Sequence, residues 1–186
     1  MTIYIAFLRG INVGGKNVIK MADLKQTLQS LGLSKVQTYI QSGNVLFESA
    51  EEERPLREKI EKTIHTVFGF SVAVILRTFK ELEQIVESCP FSDEEVSLAQ
   101  LSIEVECLYI ALLERAPLPE AVDRINVYKS ETDQYQVIGR EIYLLFHHSI
   151  RESKLAANLD RLGITMTVRN WRTIHKLADL ARTKTV

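Results

Sequence analysis

The sequence predicts an α+β protein made of two tandem ferredoxin-like units, each running βαββαβ, with an extra C-terminal helix. Three observations carry that prediction. Short runs of alternating apolar residues and longer runs of helical period succeed one another in the same order in both halves. Glycine stands where the period changes and the chain must stop or turn. Finally, Arg77-Thr78-Phe79-Lys80 with Leu82 matches Arg169-Asn170-Trp171-Arg172 with Ile174, an offset of 92 residues, as expected of an internal duplication.

The first run, 3–8, alternates apolar residues but has no basic start, no long apolar stretch and no small-residue cleavage site, so it reads as a strand and not as a signal peptide. A glycine-rich loop follows, then an amphipathic helix over 21–31 with Leu24, Leu28 and Leu31 on one stripe and Gly32 as its stop. Strands are expected at 36–40 and 45–48 around the turn Gln41-Ser42-Gly43-Asn44. Pro55 opens a helix that runs to about residue 68, Gly69 ends it, and 72–76 is a fourth strand. The second half repeats this with strand 107–113, helix 119–125, strands 134–138 and 141–146 about Gly139, helix 152–162 and strand 164–168. Thr78 and Asn170, which lie where the two fourth strands lead into helices, are good N-caps for the helices that follow. These elements divide the chain into a first unit at 1–88, a connection at 89–104 holding Cys89-Pro90-Phe91 and an acidic run, and a second unit with its C-terminal helix at 105–186.

Composition excludes several classes. With 46% hydrophobic and 25% charged residues the chain is ordinary globular protein, not disordered or low-complexity. No apolar run approaches the roughly 20 residues of a membrane span. Cys89 and Cys107 have neither metal nor redox spacing, so they read as free thiols of a cytoplasmic protein. The net charge of -1 gives no general attraction to nucleic acid or anionic membrane. Two local stretches differ: Arg9, Lys16 and Lys20 have no acid among them over 9–20, and over 151–186 eight Lys or Arg face only Glu152, Asp160 and Asp179.

The first basic stretch is the leading candidate site. Gly10-Ile11-Asn12-Val13-Gly14-Gly15-Lys16 fits the phosphate-loop spacing G-x-x-x-x-G-K, but Asn17 stands where a Ser or Thr hydroxyl would hold Mg²⁺, which argues against a nucleotide triphosphatase. What remains is a glycine-rich backbone able to turn N–H groups toward an anion, with Arg9 and Lys16 for charge. In a βαββαβ unit, strands one and two run the same way. The turn residues Gln41, Ser42 and Asn44 are therefore expected at the same sheet end as Arg9, Asn12, Gly14, Gly15, Lys16 and Asn17, across a span on the order of 10 Å suited to a small ligand. By the same topology a second polar cluster is expected from Arg151 and Lys154 with Arg169, Asn170 and Trp171. His147 and His148 lack a third ligand at metal spacing, so no metal site and no cofactor are expected.

Taken together, Ala6-Phe7-Leu8-Arg9-Gly10-Ile11-Asn12-Val13-Gly14-Gly15-Lys16-Asn17, Tyr39-Ile40-Gln41-Ser42-Gly43-Asn44-Val45, Ser153-Lys154-Leu155 and Arg169-Asn170-Trp171-Arg172 resemble the bacterial domain-of-unknown-function 1697 family. The resemblance implies a cytosolic protein of duplicated ferredoxin-like architecture and transfers no activity. The chain departs from the family in having Lys20 where a proline commonly precedes the first helix, and in a loop over 147–152 that is poorer in glycine.

Three functions follow as expectations. The first is binding of a small anionic ligand, a nucleotide or phosphorylated metabolite, at the glycine-rich loop; with no nucleophile and base pair readable, catalysis there is left open. The second is single-stranded nucleic-acid binding, because the RNA-recognition fold is also βαββαβ, although the third strand here lacks the basic start and paired aromatics that stack bases. The third is a regulatory or scaffold module for protein contacts.

Overall fold

The computed structural model describes residues 1–184, with eight strands and seven α-helices among them. In chain order they are β1 (Thr2–Leu8), α1 (Met21–Ser30), β2 (Ser34–Tyr39), β3 (Asn44–Ser49), α2 (Glu53–Phe68), β4 (Val74–Thr78), α3 (Phe79–Glu87) and α4 (Asp93–Leu101). The second half follows with β5 (Leu108–Leu113), α5 (Pro119–Asn126), β6 (Asp133–Ile138), β7 (Glu141–Phe146), α6 (Lys154–Ala157), β8 (Met166–Asn170) and α7 (Trp171–Arg182). The two sheets are ordered β2-β3-β1-β4 and β6-β7-β5-β8, with antiparallel neighbours throughout. This is the ferredoxin-like topology twice over. By compactness the chain divides into Met1–Gln84 together with the chain from His175, and Ile85–Ile174.

In the first unit, Tyr4, Ala6 and Leu8 of β1 pack with Val45 and Phe47 of β3 against Leu24 and Leu28 of α1 and Leu56, Ile60 and Ile64 of α2. Strand geometry sends alternate side chains to opposite faces. Ile5, Phe7, Leu46, Ile75 and Arg77 therefore face away from that core, and they too are fully or almost fully buried. The second unit repeats the arrangement. Ala111 and Leu113 of β5 join Ile142, Leu144 and Phe146 of β7, Ile125 of α5 and Leu155 of α6 in one core. Arg169 holds the place in β8 that Arg77 holds in β4, paired with Ile110 as Arg77 is with Ile5. Both cysteines are free thiols. No helix among the described residues is long and apolar enough to cross a membrane.

Two stretches differ from expectation. The helix expected over 152–162 is three short pieces: a 3-10 turn at Ile150–Glu152, then α6, then a 3-10 turn at Leu159–Leu162. Ser153 and Asn158 divide them. The Ser153 hydroxyl accepts from the Ala156 N–H, and the Asn158 amide donates to the Lys154 carbonyl, so both side chains compete with the helical ladder. Leu155, Leu159 and Leu162 remain buried, so the apolar stripe is preserved on broken turns. The segment expected as a connection contains α4, which starts on a capping box: Ser92 Oγ accepts from the Glu95 N–H while the Glu95 carboxylate accepts from the Ser92 N–H.

Candidate functional site

The glycine-rich loop leaves β1 with its backbone still tied to the sheet, the Arg9 N–H donating to the Ala73 carbonyl at 2.9 Å. It then folds back on itself. The Asn12 N–H donates to Asn17 at 3.2 Å, and the Lys16 N–H to Val13 at 3.0 Å. Between Val13 and Lys16, Gly14 and Gly15 have φ of 57° and 74°, the paired positive values of a type I′ hairpin turn. The loop is thus a miniature hairpin and not a phosphate loop running straight into a helix. Helix α1 begins only at Met21, after an N-cap Lys20 that makes no side-chain cap.

Asn12 holds the loop in place. At φ 55° it takes a left-handed conformation that asparagine tolerates better than most residues. Its Nδ2 donates to the carbonyls of Gln41 at 2.8 Å and Ile19 at 3.0 Å, and its Oδ1 accepts from the Ile19 N–H at 2.9 Å. One side chain thereby joins loop, turn and the approach to α1. The turn itself is closed by Asn44, fully buried, whose Nδ2 donates to the Tyr39 carbonyl and to Ser42 Oγ. Gly43 is the point of closest approach: its N-terminal neighbour turn meets β1 through Leu8 N–H donating to the Gly43 carbonyl, and a Cβ on Gly43 would lie 2.6 Å from Ile11 Cδ1.

Loop and turn therefore share one sheet end, in direct contact. The span on the order of 10 Å expected between them is not there, because β3 lies directly beside β1 and its entry turn continues the β1 ladder. Among the residues expected to bind, the side chains of Asn12, Asn17, Ser42 and Asn44 make hydrogen bonds inside the fold; Arg9, Gly14, Gly15, Lys16 and Gln41 are exposed at the surface. Among the described residues the N–H groups of Gly14 and Gly15 donate no hydrogen bond. Three apolar residues join this surface that the sequence does not mark: Val13, Val18 and Ile40 are 66%, 63% and 48% exposed. Ile40 has φ 50°, a strained conformation for a β-branched residue. Only the break it makes in strand alternation before Gln41 hints at it.

The second cluster does not assemble as expected. Val168 and Arg151 line one shallow, largely apolar depression with Ile150, Ala156, Ala157 and Leu159. Arg169, one residue on, points to the other face of the sheet, where its Nη1 donates to Thr167 Oγ1 and to the Val168 carbonyl. It is buried, and burial pushes its guanidinium down to about 10, still charged at neutral pH. Arg151 and Lys154 are exposed. Asn170 is the N-cap of α7, its Oδ1 accepting from the Thr173 N–H at 2.9 Å. Trp171 packs edge-on against Tyr143 with ring centroids 6.0 Å apart. The aromatics of the first sheet are equally committed. Tyr4 and Phe47 stack on each other at 6.0 Å within the core, so β1 and β3 offer no exposed ring on which a base could stack.

Comparison with known proteins agrees with this architecture. Among solved structures, the conserved bacterial protein SP0830 from Streptococcus pneumoniae is similar, with a TM-score of 0.71 and 25% identity over 97% of this chain and 98% of that one. No curated protein matches the chain. The family model for proteins of unknown function DUF1697 matches residues 1–143. That range includes the loop and its turn, while the motifs at 153–155 and 169–172 lie beyond it. With most of its length matched, loop and turn included, the chain belongs to the DUF1697 family.

Proposed function

We propose that the hairpin loop over 9–17, with Gln41 beside it, binds the anionic group of a small ligand such as a nucleotide or phosphorylated metabolite. One observation carries the reading: a cationic, glycine-tipped loop is tied to the turn and to the approach to α1 by three hydrogen bonds of Asn12. A preorganised loop loses little further entropy on binding. Arg9 and Lys16 supply charge, the Gly14 and Gly15 N–H groups supply donors, and the exposed Val18 and Ile40 offer apolar contact to a base or similar body. The reading is one of binding, with no reaction assigned. A reducing cytosol suits the two free thiols and belongs to the same proposal.

Thermal denaturation in the presence of nucleotides and sugar phosphates tests it. A ligand at about 100 times its dissociation constant stabilises by roughly 2.7 kcal/mol, and Arg9→Ala or Lys16→Ala is expected to abolish most of that gain. Should every such shift survive both substitutions, the loop is not the site. A shift produced only by oligonucleotides, and falling steeply with salt, would favour single-stranded nucleic acid in its place.

A further inference from the structure

The second unit contains a groove of about 260 Å³ where the loop leaving β5 meets α5 and the turn before β8. Leu118, Ala121, Leu162 and Ile164 form its apolar walls, and Arg115, Glu120 and Arg124 bring charge to it. The charges are arranged in an unusual way. Glu120 and Arg124 stand at i and i+4 on α5 with the acid N-terminal, the spacing and polarity that favour an ion pair along a helix. Yet among the described residues Glu120 and Arg115 have no ion pair, and Arg124 Nη1 donates only to the Arg161 carbonyl, at 3.4 Å. Leu118, at the mouth, is 70% exposed.

A groove lined by an acid and two guanidinium groups that form no ion pair with one another, beside an apolar wall, is complementary to a small zwitterion with an apolar side chain. We propose that this groove binds a free α-amino acid of the leucine, isoleucine or valine type. The carboxylate pairs with Arg115 and Arg124, guanidinium being the donor whose planar fork suits a carboxylate. The ammonium pairs with Glu120, and the side chain lies against Leu118, Ala121, Leu162 and Ile164. The volume is below the range of drug-sized pockets, which suits a ligand of this size. Glycine at 163 lines the groove beside Leu162 and Ile164 and so leaves room for it.

The full chain is titrated with L-leucine, L-isoleucine, L-valine, N-acetyl-L-leucine and L-leucinamide, following the thermal midpoint and the backbone amide resonances. L-leucine is expected to raise the midpoint and to move the resonances of Ala121 and Gly163. Each blocked analogue should bind more weakly by about tenfold or more, the worth of one charged hydrogen bond. In Glu120→Gln, leucine and N-acetyl-leucine should bind alike; Arg115→Gln should weaken all ligands that keep the carboxylate. Both positions are exposed, and circular dichroism checks that the variants fold. Binding of N-acetyl-leucine as tight as leucine overturns the proposal, as does the absence of binding by leucine, isoleucine and valine. Resonance shifts at Gly14 and Gly15 in place of Ala121 and Gly163 would overturn it too. Lys16→Ala should leave leucine binding intact, which separates this groove from the glycine-rich loop.

Discussion

At the scale of single residues, asparagine and glycine do most to shape the end of the first sheet. Asn12 satisfies two carbonyls and one N–H at once, in part-buried and exposed bonds, so Asn12→Ala is expected to cost about 1 kcal/mol, the net worth of hydrogen bonds that water can partly replace. Asn12→Asp should cost more, because it keeps the acceptor for Ile19 N–H but turns a carboxylate toward two carbonyl oxygens. Urea denaturation of the pair distinguishes the two effects. At Gly43 a methyl group meets Ile11 and Leu8 within 3 Å while the backbone stays at φ 78°, so Gly43→Ala combines overpacking with strain and should lower stability by roughly 2 kcal/mol or more. Tyr143 provides a pH-dependent case. Burial raises its phenol above the ordinary value of 10.0, and it donates to the Ile85 carbonyl at 2.8 Å. A group whose folded pKa is raised contributes fully below its unfolded pKa and loses that contribution as pH climbs from there toward the folded value. Arg169, whose pKa is depressed by burial, has the opposite slope at alkaline pH, so the comparison is made by difference. Tyr143→Phe should be less stable than the parent by about 1 kcal/mol at neutral pH, and the gap should narrow above pH 10.

At the scale of elements, the caps decide where helices begin. Thr78 before α3 and Ser92 before α4 each face a glutamate three residues on, Glu81 and Glu95, in reciprocal capping boxes. Ser92→Ala is expected to destabilise α4 by about 1 kcal/mol, seen as faster amide exchange in its first turn with little change in the sheet. Much of this was readable in advance: the order of strands and helices followed from apolar period and glycine stops, and Thr78 and Asn170 were legible as caps. The broken 150–162 segment was not, because the spacing of Leu155, Leu159 and Leu162 suits a continuous helix and a string of short turns equally well. Which one forms depends on how Ser153 and Asn158 use their side chains against the backbone.

At the scale of the whole molecule, the duplication is visible in matched strands, matched caps and the buried arginines Arg77 and Arg169. Compactness nevertheless assigns the chain from His175 to the first unit. Within it Leu177, Ala178 and Ala181 are buried, Arg182 pairs with Glu83, and Lys184 Nζ donates to the Lys35 carbonyl at 3.0 Å. Deleting 175–186 is therefore expected to reduce exchange protection in β1 to β4, strands far away in sequence. Protection lost only within 85–174 would contradict that.

Fold class, repeat, the caps Thr78 and Asn170, and the placing of the glycine-rich loop and the turn 41–44 at one sheet end were all legible in the order of residues. These follow from local period and from topology, which fixes which loops share a sheet end. What that placing amounts to came from tertiary packing: a contact clasped by Asn12 where a ligand-sized gap was expected. Tertiary structure also decided that Arg169 turns away from Arg151, because strand register sends neighbouring side chains to opposite faces. Whether an amide side chain faces a ligand or a backbone carbonyl depends on distances of a few ångströms between segments far apart in sequence, and nothing in local composition encodes them.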